Sequence, residues 1–587
     1  MKFRINWSFV NERNVFILFT VANLIPVFLT YYVGSLDGPK HLQVSNMMIQ
    51  LWKGNETYRQ FYVFDPLFNG NVLGNYIIAL FNLVLPAWLA EKLFITTYLI
   101  SLVTGFRYLV VSIKGKSDYL TLLIFPFTYT SLFMLGYYNF SLAIGLMFYT
   151  LGYWIRQHKS MNILKSIVLT LLILFTYFAH LFIFGFLLAI TGFYTVFEFF
   201  NELALKEPNT FKKFLNRTGI LIASAMPSLI LSVFYIREIL KYPAGDGATG
   251  QFGFLKKIND LNILIGYHRN MELVYVRVIY FLVISLVVWI LISRIIGYIT
   301  RYRSVKYRLI DFLLKSDFWF LVTILIFGFY LFLPNQMNSA GNVSMRVAIL
   351  LIYMLILWIS LQDFPKKLVF IPVLIILYAG ISLKSIHVKF LKPLDEIALE
   401  LQSVEKLIPE NSVILTANFS ENWILNHFRS YIGTKRPVID LRNQSCSKLF
   451  VVNWNHKEMP FTFVGAKDAQ HFTGFHNNPR NQFVTIVDYI VIIDFLQFEK
   501  FDQNDPLPQT LKRDYELVYK AENKFVAVFK FAAQEKVEAY RKYILGNSKS
   551  MEMIKKKAQH FEVPLETALE RDALWLYDQA FPIPEEN

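Results

Sequence analysis

Apolar residues in this chain gather into long runs divided by short polar stretches, and the runs stop near residue 384. Ile167–Phe186 and Val278–Ile292 contain no Asp, Glu, Lys or Arg and are too uniformly apolar for amphipathic surface helices. About 20 mainly apolar helical residues cross the hydrocarbon of a bilayer. The pattern predicts about eleven transmembrane helices, at 14–33, 91–112, 119–135, 138–155, 162–178, 181–199, 218–236, 276–296, 309–333, 346–361 and 368–383. The run 72–87 holds Asn75, Asn82 and Pro86 and reads as a re-entrant or interfacial helix. Residues 1–383 therefore read as an α-helical polytopic membrane bundle, with a first extracytoplasmic loop at 34–90.

After the last run the period changes. Residues 391–408 suit an amphipathic helix, Asn411–Leu415 a strand, Phe419–Phe428 a helix and Val438–Leu441 the next strand, a β-α-β order. Tyr489–Ile493, Tyr515–Tyr519 and Phe525–Phe531 are further strand-like segments. In the tail, 533–587, a helix opens at Pro564 and runs to about Asp578 with Leu565, Ala568, Leu569 and Ala573 on one face. Residues 384–587 are thus expected to form a soluble α/β domain. No glycine-rich phosphate loop follows any of these strands, which argues against a soluble nucleotide-binding domain.

Charge adds orientation. The net charge is +15, yet residues 384–587 hold 26 basic and 27 acidic side chains, and residues 1–383 hold 32 against 16. The excess lies between the apolar runs, as the bias of cytoplasmic loops toward Lys and Arg produces, and no nucleic-acid partner is implied. Lys2, Arg4 and Arg13 put the N-terminus in the cytoplasm, and Asn14–Val33 reads as a retained anchor. Arg301, Arg303, Lys306 and Arg308 form the strongest cytoplasmic signal, while 237–275, with Gly245, Gly247 and Gly250, reads as a far-side loop. Asp363, Lys366 and Lys367 divide the last two spans. An odd number of spans then leaves the C-terminal domain periplasmic. The lone Cys446 permits no intrachain disulfide and no cysteine metal cluster, which is compatible with a bacterial inner membrane.

Few residues are candidates for chemistry. Asp37, in Ser35-Leu36-Asp37-Gly38-Pro39-Lys40-His41, follows the first span and is either a helix cap or a catalytic or metal-binding carboxylate. His41 lies one turn further on. Asp65, before Pro66, reads as a turn residue that shapes a substrate mouth. Asn139 opens a span, as a cap or a ligand. His180 sits between two apolar runs, where an ionisable group is costly. Arg346, at the mouth of a span, either snorkels to headgroups or binds a lipid phosphate through its planar fork. There is no serine–histidine–acid order and no P-loop.

This layout resembles the GT-C class of polytopic glycosyltransferases, which includes protein O-mannosyltransferases and aminoarabinose transferases. The likeness lies in one span leading to a first loop that opens on Asp37, then Asp65-Pro66-Leu67 before an interfacial helix, a far-side connection at Leu135–Asn139, and a soluble α/β domain at the end. The resemblance implies transfer of a sugar from a polyprenyl-phosphate donor on the extracytoplasmic face. It implies Asp37 as general base or metal ligand, His41 as a partner in a divalent Mg or Mn site, and Arg346 against the phosphate. Asn139 stands where many members have a second acidic residue, and the first loop lacks the adjacent acidic pair of some branches. The donor, membrane lipids and an acceptor lipid, glycan or protein are the expected partners. A transporter or lipid flippase, and a non-enzymatic envelope scaffold, are the competing readings.

Overall fold

The computed structural model describes residues 11–65, 69–241, 254–265, 269–302, 316–335, 341–365, 368–443, 446, 450–455 and 486–578. The expectations for Pro66 and Leu67, for the glycines of 242–253, for Arg303, Lys306 and Arg308, and for Lys366 and Lys367 lie outside these residues. The elements run α1 (Glu12–Phe28), α2 (Gly38–Trp52), α3 (Glu56–Phe61), β1 (Tyr62–Phe64), α4 (Leu73–Asn82), α5 (Ala87–Lys114), a 3₁₀ segment (Tyr119–Phe127), α6 (Ser131–Met134), α7 (Tyr138–Gln157), α8 (Ile163–Ala179), α9 (Leu181–Ala204), α10 (Thr210–Leu240), α11 (Phe254–Asp260), α12 (Arg269–Tyr302), α13 (Asp317–Phe332), α14 (Val343–Ser360) and α15 (Phe370–Ser403). Then come β2 (Val413–Asn418), a second 3₁₀ segment (Trp423–Tyr431), β3 (Ile439–Asp440), β4 (Val452–Trp454), β5 (Tyr489–Ile493), α16 (Phe495–Phe498), α17 (Pro506–Asp514), β6 (Tyr515–Lys520), β7 (Val526–Phe531), α18 (Gln534–Gly546), α19 (Ser548–His560) and α20 (Leu565–Asp578).

Two compact units result. One comprises residues 1–38, 68–77 and 88–395, the other 39–67, 78–87 and 396–587. Among the described residues six helices are long and apolar enough to cross a bilayer: Ala87–Lys114, Leu181–Ala204, Thr210–Leu240, Met271–Thr300, Val343–Ser360 and Phe370–Lys406. Leu73–Asn82, Tyr119–Met134, Ile163–Ala179 and Asp317–Phe332 are shorter apolar stretches. The chain is a multi-pass integral membrane protein. The apolar runs become helices because nothing interrupts them, and Asn side chains start two of them. Asn11 accepts from the Asn14 N–H at 2.9 Å, and Asn162 from the Lys165 N–H at 2.9 Å. Leu321, Leu325 and Phe329 of α13 are exposed, as lipid-facing side chains would be, whereas α14 is almost wholly buried.

The third predicted span departs from a regular helix. Residues 119–127 are 3₁₀, with Pro126 lacking an N–H, and a single α-turn follows after Thr130, whose hydroxyl accepts from the Phe133 N–H at 3.2 Å. Irregular backbone at membrane depth must find partners inside the protein. Here hydroxyls from neighbouring helices supply them. Tyr98 donates to the Thr128 carbonyl at 2.6 Å, Tyr353 to Phe127 at 2.7 Å and Ser360 to Leu120 at 3.0 Å. Asn23 of α1 donates to the Thr128 hydroxyl at 2.9 Å. One further difference is that the predicted helix 391–408 continues the last span as one helix, α15, with Pro393 inside it. Lys212, Lys213 and Arg217 lie in α10, and Arg217 is buried against Glu202 at 2.8 Å.

The second unit is built on a five-stranded sheet of order β3-β2-β5-β7-β6. β2 pairs in parallel with β3 and β5, and β7 pairs antiparallel with β5 and β6. Strand β5 is buried along its whole length, hence its unbroken apolar run, and β2 is buried as far as Ala417. The predicted β-α-β order is present with a 3₁₀ segment as its connector. A second, two-stranded sheet joins β1 of the first loop to β4 in antiparallel register, Val63 opposite Asn453. Glu405 fixes the turn beyond the connector. Its carboxylate accepts from the N–H groups of Gly433 at 2.6 Å, Thr434 at 2.7 Å and Lys435 at 3.2 Å.

A Tyr353→Phe substitution should leave the Phe127 carbonyl without its donor and cost about 1–3 kcal/mol. Thermal unfolding of the purified protein in detergent checks this: the midpoint should fall, whereas an unchanged midpoint would mean that water or another group serves that carbonyl.

Candidate functional site

The segment Leu135–Phe140, which joins α6 to the first turn of α7, touches most of the predicted site residues of the membrane unit. Its approach to Asp37 depends on Gly136. This residue has φ +83°, and a Cβ there would lie 2.8 Å from both the Cβ and the backbone nitrogen of Asp37. Only glycine combines that backbone with that proximity. The Asp37 N–H donates to the Leu135 carbonyl at 3.2 Å, which holds the two chain segments side by side. The first-turn N–H of α2, at Gly38, donates to Ser35 Oγ at 3.1 Å, so a hydroxyl two residues before Asp37 serves that end of the helix. Asp37 itself is half-buried.

Each following residue reaches a different partner. Tyr138 Oη lies 3.1 Å from Ser35 Oγ and donates to Glu91 Oε1 at 2.7 Å. Asn139 ties down α4: its Oδ1 accepts from the Gly74 N–H at 2.6 Å, and its Nδ2 donates to the Asn71 carbonyl at 2.7 Å. The Asn139 amide therefore acts as a cap for a neighbouring helix rather than for its own. Tyr137 and Phe140 flank Arg346, whose guanidinium carbon sits 5.0 Å and 5.9 Å from their ring centres. Asn342 Nδ2 donates to Tyr137 Oη at 3.1 Å, which fixes that ring.

Arg346 also meets His180. Arg346 Nη1 and His180 Nε2 are 3.3 Å apart. A guanidinium only donates, so His180 accepts on Nε2, and its imidazole is neutral in this pairing. Phe140 packs edge-on against the His180 ring at 5.3 Å. Among the described residues no carboxylate forms an ion pair with Arg346, and its buried Nε has no hydrogen-bond partner, nor has His180 Nδ1. Two N–H donors at the mouth of α14, one of them cationic, are thus held ready for an acceptor. Tetrahedral phosphate, with several charged oxygens, suits such a pair.

His41 and Asp65 belong to the other unit. His41 is half-buried in α2. The Asp65 N–H donates to the Val451 carbonyl at 2.8 Å, and its Oδ2 accepts from Asn453 Nδ2 at 3.3 Å, so Asp65 extends the β1–β4 pairing. Among the described residues no group of three or more His, Cys, Asp and Glu is arranged to hold a metal ion.

Sequence reasoning missed four ionisable groups, Glu91, Glu272, His387 and Lys384, the first three of them buried. Glu91, fully buried in α5, receives the Tyr138 bond, and its single-residue signal inside an apolar run was the only clue. Glu272 of α12 and His387 of α15 form a buried pair at 2.8 Å. Lys384 lies 3.6 Å from the centre of the Tyr129 ring, and its Nζ is 3.3 Å from Thr128 Oγ1. Ending the last span at 383 had placed Lys384 and His387 outside the membrane helices.

No family model matches the chain, and no curated protein matches it. Among solved structures, the chain is similar to ArnT from Cupriavidus metallidurans bound to undecaprenyl phosphate, at 10% identity and TM-score 0.47, covering 90% of this chain and 99% of that one. It is similar to the apo state of the same ArnT at 10% identity and TM-score 0.48, covering 88% and 98%.

Gly136→Ala should be destabilising by about 1–2 kcal/mol from backbone conformation alone, with the contact at Asp37 added. A lowered melting midpoint, set against an unchanged Gly185→Ala control with open space around it, is the expected result. Equal midpoints would show that the loop can move away from Asp37 freely.

Proposed function

We propose that the protein is a membrane glycosyltransferase that moves a sugar from a polyprenyl-phosphate donor to an acceptor on the extracytoplasmic face. The observation that carries the reading is Arg346: a guanidinium between two aromatic rings and a neutral imidazole, with no carboxylate paired to it among the described residues. Partly buried cations normally have an acidic partner, so a missing one points to an anionic ligand. A lipid phosphate supplies that anion at membrane level.

In the proposed reaction the acceptor hydroxyl attacks the anomeric carbon. The bond between that carbon and the phosphate oxygen breaks, and the hydroxyl proton passes to the Asp37 carboxylate. The leaving polyprenyl phosphate gains negative charge, which Arg346 meets while His180 and Tyr137 hold the guanidinium in place. As the alternative to its role as base, Asp37 would be a ligand for magnesium or manganese, a hard oxygen that both ions accept, and the ion would supply positive charge to the leaving group. Under this reading the protein resides in a bacterial inner membrane, with its N-terminus cytoplasmic and its C-terminal unit periplasmic.

Sugar release from a polyprenyl-phosphate sugar, by protein purified into nanodiscs, tests the proposal. Asp37→Asn should lower kcat by about 10²–10⁴-fold, and Arg346→Ala by about 10²–10³-fold, in variants that melt like the wild type. Full turnover by Asp37→Asn would remove that carboxylate from the mechanism. No turnover by the wild type with a broad set of donors would favour a scaffold or a transporter.

A further inference from the structure

We infer that the soluble unit has an anion site of its own, formed by Arg442, Lys40 and the 3₁₀ segment 423–431 beyond the carboxyl ends of β2 and β3, and that it takes a phosphate or diphosphate group. This inference does not depend on the transferase reading, because every residue in it lies in the second unit.

The topology favours such a site. β2 and β3 are parallel, and β5 pairs in parallel on the other side of β2. The chain leaves β2 in one direction to reach β3 and then returns past β2 to β5. Ligands of open α/β sheets bind outside the carboxyl ends of strands at such reversals. The segment that leaves β2 brings His427 and Arg429, and the turn that leaves β3 brings Arg442.

The local charges are unbalanced. Asp440, buried at the end of β3, is already engaged. It accepts from Thr416 Oγ1 at 3.3 Å and from the Arg442 N–H at 3.1 Å, and it lies 3.6 Å from Arg429 Nε. Arg429 is buried and otherwise bonded to backbone, with its Nη2 donating to the Arg442 carbonyl at 3.0 Å. One carboxylate, that of Asp440, thus faces two guanidinium groups, Arg429 and Arg442. The Arg442 guanidinium remains, half-buried, with a long bond of 3.4 Å to the Thr416 carbonyl and no partner for its Nε. Lys40 adds a second cation. The charges that act on His427 are those of Lys40, Arg429 and Arg442, all positive, and burial together with these three pushes its imidazole down to about 2. Half-buried cations that act on one neutral histidine and leave a guanidinium edge open are costly without an anion. A planar guanidinium fork with a further cation acting on the same histidine suits phosphate oxygens.

The experiment uses the full chain in detergent and in nanodiscs, with inorganic pyrophosphate as the probe and calorimetry as the readout. The wild type should bind pyrophosphate, Arg442→Gln should weaken binding at least tenfold, and Arg442→Lys should recover part of it. Lys556→Gln, which removes one positive charge at an exposed position of α19, should leave it unchanged. Nanodiscs of phosphatidylcholine alone, compared with nanodiscs that contain phosphatidic acid, identify the source. Competition by the anionic lipid supports a headgroup ligand, and unchanged binding supports a soluble phosphate compound. Equal binding by the wild type and Arg442→Gln, an equal loss in Lys556→Gln, or no binding by a wild type that melts normally would each overturn the proposal.

Discussion

Backbone polar groups buried at membrane depth must be satisfied inside the protein, and the architecture of the membrane unit follows from how residues 119–140 meet that demand. A regular helix through this stretch would leave no loop in reach of Asp37. Instead the chain breaks into a 3₁₀ segment and a single turn, with Tyr98, Tyr353 and Ser360 donating to the exposed carbonyls. Because those bonds come from α5 and α14, the break is fixed in position by two apolar helices of membrane-spanning length. The segment that follows, Leu135–Phe140, leads from that break into α7.

From this segment the candidate site is assembled residue by residue. Gly136 admits Asp37, Tyr138 engages Glu91 and Ser35, Asn139 anchors α4, and Tyr137 and Phe140 seat Arg346 against His180. Catalytic groups perform well only when their surroundings hold them near the productive geometry. Here the holding is done by hydrogen bonds to side chains that themselves have few other options. An arginine whose planar fork is flanked by rings is positioned before any ligand arrives, which reduces the ordering that binding would otherwise cost.

Much of the fold was legible in the sequence because apolar runs and period-two strands are local signals. The strands at 489–493, 515–519 and 525–531, and the tail helix to Asp578, appear within a residue or two of their expected bounds. The 3₁₀ break was not legible, since Pro126 alone does not distinguish a kink from a loss of helix. The β1–β4 pairing was not either, because its strands are three residues each and almost 400 positions apart. Among the site residues, Arg346 and His180 stood out as ionisable groups in apolar surroundings, and the structure brings them together. Glu91 and the Glu272–His387 pair gave the same signal, but inside or beside runs where a single polar residue is easily passed over. Asn139 was visible as a cap, yet the helix it serves is a distant one.

The central claim is that Arg346 is kept without an acidic partner so that it can hold a lipid phosphate. The most direct measurement compares the binding of a polyprenyl phosphate with that of the uncharged polyprenol, in the wild type and in Arg346→Gln. The account predicts that the wild type prefers the phosphate by tenfold or more and that the preference disappears in the variant. Equal preference in both proteins would contradict it.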